Sequence, residues 1–208
     1  MSNYLAIATV TAALREILHE AALAVVPGVS VTIKRPDNAG GEGQEKAAIN
    51  IYLYQVNINP FWRNADLPAY DSSGKRVHRP QIALDLDYLF SFHGSELSME
   101  PQRLLGSALI YLQADPWIKP DTIQRVISQD SYLAHSDLFT QVDMIKTSQL
   151  SLSLEELSKL WSIFFQVPYT LSVAFRASTV LLEAGENIPP VPPVKEPRVH
   201  LNREFPPR

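Results

Sequence analysis

Two carboxylates, Asp85 and Asp87, stand two residues apart in the run "RPQIALDLDYLFSFHG", residues 79–94. Side chains at i and i+2 of a strand share a face, so this spacing could hold two acids close enough to share one proton. Acid–base sites, however, usually collect their carboxylates from different elements around a pocket. The same pattern has a simpler reading. Ile82, Leu84, Leu86, Tyr88, Phe90 and Phe92 form one face and belong to a core, while Ala83, Asp85, Asp87, Leu89 and Ser91 form the other, solvated or turned to a partner subunit. We expect the second arrangement, with Arg35, Arg63 and Arg176 available as ion-pair partners.

The remaining reactive side chains point the same way. His19, His78, His93, His135 and His200 are far apart and show no H-x-x-x-H or H-x-H spacing, so no metal site is expected. The glycines of "AGGEGQEK", residues 39–46, have no helix after them and no closing Lys-Ser or Lys-Thr, and read as a hairpin loop rather than a phosphate cradle. No serine stands in G-x-S-x-G. The acids of "EEL", 155–157, fall in the first turn of a helix, where they complement its dipole. The absence of cysteine removes thiol nucleophiles, disulfides and thiolate zinc together. No catalytic, cofactor-binding or metal-binding residue is assigned, and the chain is read as a protein without enzymatic activity. An enzyme built on Asp85 and Asp87 is the rival reading. Trp62 and Arg63, in "NPFWRN", have two readings: a plug at the end of a sheet, or an anchor for a partner, since Trp and Arg are enriched at binding hot spots.

The elements that must position these residues follow from periodicity. Ile7, Val10, Leu14, Ile17, Ala21 and Val25 give one apolar stripe over a helix in the first 26 residues, capped by Ser2 or Asn3 and stopped at "VVPG". "VSVTIKR", 29–35, alternates as a strand, and "AAINIYLYQVNIN", 47–59, is a longer one. The loop between them suggests a hairpin. The irregular stretch 60–78 is long for a connection in a compact domain, and its Phe61, Trp62 and Tyr70 argue against simple disorder. A strand over 79–94, helices over 101–112 and about 121–129, and a strand over 141–152 come next. Ser153 and Glu156 form a capping box for a helix whose buried face is Leu157, Leu160, Trp161, Phe164 and Phe165. The last strand, 168–183, alternates Leu171, Val173, Phe175, Ala177, Thr179 and Leu181.

The chain of 208 residues, 46% hydrophobic and 19% charged, is long enough for one sizeable core. We read a single α+β domain over 1–184, with one mixed or antiparallel sheet flanked by helices, followed by a Pro-rich extended arm over 185–208. A net charge of -4 gives no electrostatic footprint for nucleic acid. No apolar run reaches bilayer-spanning length, so no membrane contact is implied. "MSNYLAIATV" lacks the basic n-region of a signal peptide, which makes synthesis and folding in the cytoplasm the expectation.

Five segments in order, "YLYQVNINPFWRN", "RPQIALDLDYLFSFHG", "LLGSALIYLQADP", "LSLEELSKLWSIF" and "QVPYTLSVAFRASTVLLE", resemble the tail-terminator, or cap, proteins of phage-tail-like contractile injection systems. The resemblance is to those of the antifeeding-prophage and Photorhabdus virulence cassette type, and it covers essentially residues 3–183. It implies an α/β domain assembling as a homohexameric ring on the end of the tail distal to the baseplate. There the ring would contact the last layer of inner tube protein and contractile sheath protein and stop both polymers. It implies no activity and no cofactor. The rival within the same particle is a tube-initiating or baseplate subunit. Whether such a particle is released or stays in the cell is not written in this chain.

The arm has a pattern of its own. Val199, Leu201, Arg203 and Phe205 alternate in "RVHLNREF" between flanking prolines, which suits strand addition to an exposed sheet edge. Sheath subunits of contractile tails are linked, as a family, through exchanged terminal strands. By that likeness the arm is expected to dock on the last sheath layer or on an adjacent cap subunit.

Overall fold

The computed structural model describes residues 2–36, 46–62, 81–141, 143–164 and 167–183. In chain order the elements are α1 (Ala6–Leu23), β1 (Ser30–Thr32), β2 (Ala48–Ile58), β3 (Gln81–His93), α2 (Glu100–Ala114), β4 (Trp117–Ile118), α3 (Pro120–Gln129), β5 (Ile145–Leu150), α4 (Leu154–Ser162) and β6 (Ser172–Glu183). Two single 3-10 turns, Ser131–Leu133 and Leu138–Thr140, join α3 to β5. The fold is mixed α/β. One six-stranded sheet runs in the order β1-β2-β3-β6-β5-β4, antiparallel throughout except for the β1–β2 pair.

That exception corrects the hairpin expected from the sequence. Ser30 faces Ala48 and Thr32 faces Asn50 in parallel register. Two neighbouring strands joined by a long loop fit either direction locally, and here the loop is long enough to return the chain to the same end, as a parallel pair requires. The pairing stops at Asn50. Its side chain accepts from Lys34 N at 3.0 Å, donates to Lys34 O at 3.0 Å and accepts from Thr32 Oγ1 at 2.9 Å, taking over the chain that β1 would otherwise continue.

The core lies on one face of the sheet. Leu84, Leu86, Tyr88, Phe90 and Phe92 of β3 meet Ile49 and Ile51 of β2 and Phe175, Ala177 and Val180 of β6, beneath α1, α2 and α3. Alanines 6, 12, 13, 21 and 22 are buried on α1, and side chains this small let it lie close to its neighbours. Burial pushes the Tyr88 phenol well above its ordinary pKa, and its hydroxyl is satisfied by Thr11 Oγ1 at 2.9 Å. On the opposite face α4 and the turn after it set Leu160, Trp161 and Phe164 over Leu89, with Tyr52 and Phe164 edge to face at 5.3 Å. The capping box of α4 is present in full, Ser153 Oγ accepting from Glu156 N and Glu156 reaching back to Ser153 N. Leu157 is only partly covered on this face, and Phe165 lies outside the described residues.

Helix α1 differs from expectation at its start. It begins at Ala6 without a side-chain cap. Asn3 instead accepts from Leu5 N at 2.9 Å while donating through Nδ2 to His135 O, and so ties the N-terminal turn to the loop after α3. The turn from β3 into α2 needs Gly94. Its φ is 147°, and a Cβ there would come within 2.6 Å of the Glu100 carboxylate, which accepts from Ser95 N. The two-residue strand β4 was not foreseen; it is too short to carry a period.

Strand β6 changes phase. Its expected alternation holds from Val173 to Ala177, but one extra residue between its pairings with Leu86 and Leu84 moves Val180 and Leu182 onto the core face. Thr179 sits in this bulge at φ 67°, a left-handed conformation that a β-branched residue rarely adopts. Leu181 therefore turns to the other face, opposite Ala83.

Candidate interaction surface

The two aspartates lie on the sheet face opposite the main core, but they are not a solvated surface. Asp85 is 4% exposed and Asp87 is 2% exposed. Side chains from neighbouring strands explain why. Asp87 takes Arg176 from β6 and, at 3.1 Å, the amide of Asn57 from β2. Asp85 accepts from Asn59 Nδ2 at 2.8 Å and from the backbone N–H of Thr179 at 3.4 Å. Each carboxylate has its own set of partners and none is shared between them. The geometry is that of two separate anchors, one for an arginine and one for a bulge, rather than a proton-sharing dyad.

Among the described residues Arg176 fills the role expected of an arginine partner; Arg63 lies outside them. Val199, Leu201, Arg203 and Phe205, together with the whole Pro-rich arm, also lie outside them. Among the described residues no group of three His, Asp or Glu side chains is placed to hold a metal ion, and no helix is long and apolar enough to cross a membrane.

Asn59 was not singled out in the sequence, yet it organises the corner. Its Oδ1 accepts from Phe61 N at 3.0 Å and Trp62 N at 3.3 Å, while its Nδ2 holds Asp85. The available signal was "NPFW", an Asx residue before proline, which favours a side-chain-closed turn. The buried carboxylate thus fixes the turn that leaves β2. That turn presents Phe61 to solvent at 89% exposure, whereas Trp62 is half-buried.

Beside the turn part of the sheet is exposed. Val56 and Ile58 pair with Leu86 and Leu84, so they share the face of the main core, and Ile82 follows the same alternation on β3. All three are exposed, although Leu84 and Leu86 next to them are buried. The helices stop short of this corner. Beyond Asn50, no strand among the described residues pairs with the outer edge of β2. The corner therefore combines an apolar face with unpaired backbone, which is how a protein-binding sheet edge is built.

Residues 9–196 match the model of the Pvc16 N-terminal domain family. The chain belongs to that family. No curated protein matches it significantly. Among solved structures, the fold is similar to one described as the PVC sheath/tube terminator of an extracellular contractile injection system in the extended state, at a TM-score of 0.59 and 14% identity, covering 96% of this chain and 64% of that one. It is also similar to the tube-terminating cap of the anti-feeding prophage, at a TM-score of 0.55 and 16% identity, covering 89% of this chain and 59% of that one. The chain thus spans about three fifths of the length of either structure. The family match runs past Glu183, where β6 ends.

Proposed function

We propose that this Pvc16-type domain is the terminator of a contractile injection system, a structural cap that stops growth of inner tube and sheath. The observation that carries the reading is the fold: nearly the whole chain superposes on a sheath/tube terminator, and its family is that of the Pvc16 N-terminal domain. The physical logic is one of surfaces. A head-to-tail polymer end exposes a patch that recruits the next subunit, and a ring that matches this patch while offering none of its own ends the series. A homohexamer would match a sixfold tube and sheath end. The protein is then synthesised and assembled in the cytoplasm and does no chemistry.

The residues proposed for contacts are Phe61 and Trp62 at the β2 corner, with Arg63 next in the sequence. Asp85 and Asp87 act from beneath by holding that corner and Arg176 in place. The arm over 185–208 supplies a further contact, to the sheath or to a neighbouring cap subunit. Deleting the gene tests the role directly. The expected result is particles of irregular tube length, and tagged protein restored to such cells should decorate the single end away from the baseplate with sixfold density. Uniform particles in its absence, or decoration of the baseplate end, would overturn the reading.

A further inference from the structure

Among the described residues nothing pairs with the outer edge of β2 beyond Asn50, and such an edge is one that proteins normally protect. Natural sheets blunt open edges with lysine, proline or inward charges, because unpaired N–H and C=O groups template another strand. From Ile51 to Ile58 the sequence is "IYLYQVNI", with neither a charged residue nor a proline. β1 is held off this stretch by Asn50, which binds Lys34 through its side chain. The extra residue at Tyr54, where the β2–β3 register shifts, twists the edge but adds no charge to it. Val56 and Ile58 add an exposed apolar flank on the core face.

The chain carries a segment suited to fill such an edge. "RVHLNREF", 198–205, is as long as the open stretch 51–58 and, as a strand, would share one face among Val199, Leu201, Arg203 and Phe205. It is tethered at Glu183, whose partner across the sheet is Gln81, next to Ile82 and so at the same corner. The tether decides whose edge it reaches. Residues 184–197 include five prolines, and a proline-rich stretch favours a stiff course of about 3.1 Å per residue, roughly 40 Å in all. A strand added to the protein's own β2 edge would lie three strand spacings from β6, or about 15 Å. A stiff spacer overshoots that distance but can span to a neighbour.

We propose that residues 198–205 of one copy add as a strand to the Ile51–Ile58 edge of β2 in an adjacent copy, with Val199, Leu201 and Phe205 covering Val56 and Ile58. The proposal rests on the ring reading above and names the contact that closes the ring. It also accounts for the bare corner, because the edge is complete only in the assembled state.

The absence of native cysteine gives a clean test. Asn57 lies on the face opposite Val56 and Ile58, and the matching face of the arm carries His200, Asn202 and Glu204. Asn57→Cys is placed in a chain with one tag, and His200→Cys, Asn202→Cys or Glu204→Cys in a chain with a second tag. Both are expressed together in cells making particles, and purified particles are mildly oxidised. Directly opposed residues lie within disulfide reach. One donor position should give a mixed-tag disulfide about tenfold stronger than a control with the acceptor cysteine at Ser148 of β5, as local concentration dictates. No mixed-tag product at any donor position, or bonds formed only within single chains, overturns the strand exchange. Sixfold caps in those same particles would leave the ring reading intact, whereas particles that carry both tagged chains but no sixfold cap would count against the ring itself.

Discussion

Arg176 closes on Asp87 across the β3–β6 pair with two nitrogens, Nε to Oδ1 at 2.7 Å and Nη2 to Oδ2 at 2.9 Å. The arginine side chain remains a third exposed while the carboxylate is buried, and the bond to Asp87 raises the guanidinium pKa further. Such a forked contact fixes both direction and register. It links β6 to the strand that carries the corner turn.

Removing the acid should therefore cost more than a surface pair would. Asp87→Ala leaves Arg176 and Asn57 without their acceptor, and we expect a loss of about 2 kcal/mol, below the cost of breaking a fully buried pair because the arginine can turn to water. Asp87→Asn keeps the shape and one acceptor oxygen and should lose less. Urea denaturation of the two variants checks the order. Equal stability of Asp87→Ala and the parent would show that the pair is only decorative.

The β6 bulge makes an opposite prediction. Thr179 holds a left-handed backbone at φ 67° because Asp85 accepts its N–H and Gln141 Nε2 donates to its carbonyl at 2.7 Å. A β-branched residue is strained there, by about 1–2 kcal/mol, and glycine would relieve this while adding freedom to the unfolded chain worth roughly 0.5–1 kcal/mol. Thr179→Gly should thus be neutral or slightly stabilising in thermal melts, unlike most substitutions of a sheet residue. Asp85→Ala should destabilise by about 1–3 kcal/mol and loosen the turn at Asn59, readable as faster amide exchange at Phe61 and Trp62. A clear loss of stability in Thr179→Gly would mean that the threonine side chain does more than tolerate the bulge.

These two positions also show what a sequence reveals. The face pattern of β3 and the capping box at Ser153 were legible, because each is set by residues a few places apart. The family was legible in ordered segments that run along nearly the whole domain. The direction of β1 was not, since strand propensity has no sign and parallel or antiparallel pairing is decided by where the chain returns. The bulge was hidden because a threonine inside "RASTVL" signals extended backbone. The burial of Asp85 and Asp87 depends on Asn57, Asn59 and Arg176, which arrive from other strands. Ile82 was expected in the core by its alternation with Leu84, yet it is exposed, because burial depends on what the rest of the chain lays over the sheet.

The helix α4 cap offers a local test. Ser153 and Glu156 bond reciprocally, with Glu156 N to Ser153 Oγ at 3.2 Å and Ser153 N to Glu156 Oε2 at 2.8 Å. Ser153→Ala should lower stability by about 1 kcal/mol, while Ser153→Gly should cost only a few tenths. Because α4 carries Trp161, whose indole donates to Ser172 Oγ at 3.1 Å, fraying should also make that indole N–H and the amides near Leu89 exchange faster. If Ala and Gly variants prove equally stable, the cap is not what holds the helix start.

The last prediction concerns acid. His93 ends β3 opposite Ala48, with Nε2 at 3.2 Å from Ser91 Oγ, and burial lowers its pKa below the ordinary 6.5 because desolvation disfavours the charged ring. The folded state therefore holds this proton less tightly than the unfolded chain. Between the folded pKa and 6.5 the unfolded state binds more protons, so stability rises with pH through that window and is fully present above it. The contribution is lost as pH falls from 6.5 toward and past the folded value. His93→Gln removes the titration and leaves the other histidines unchanged. The melting temperature of the parent should drop more than that of His93→Gln between pH 7.5 and pH 5, values chosen as roughly one unit above and somewhat below the ordinary histidine pKa. Parallel curves for the two proteins would show that His93 takes up its proton without cost, and that the end of β3 is open to water in the folded state.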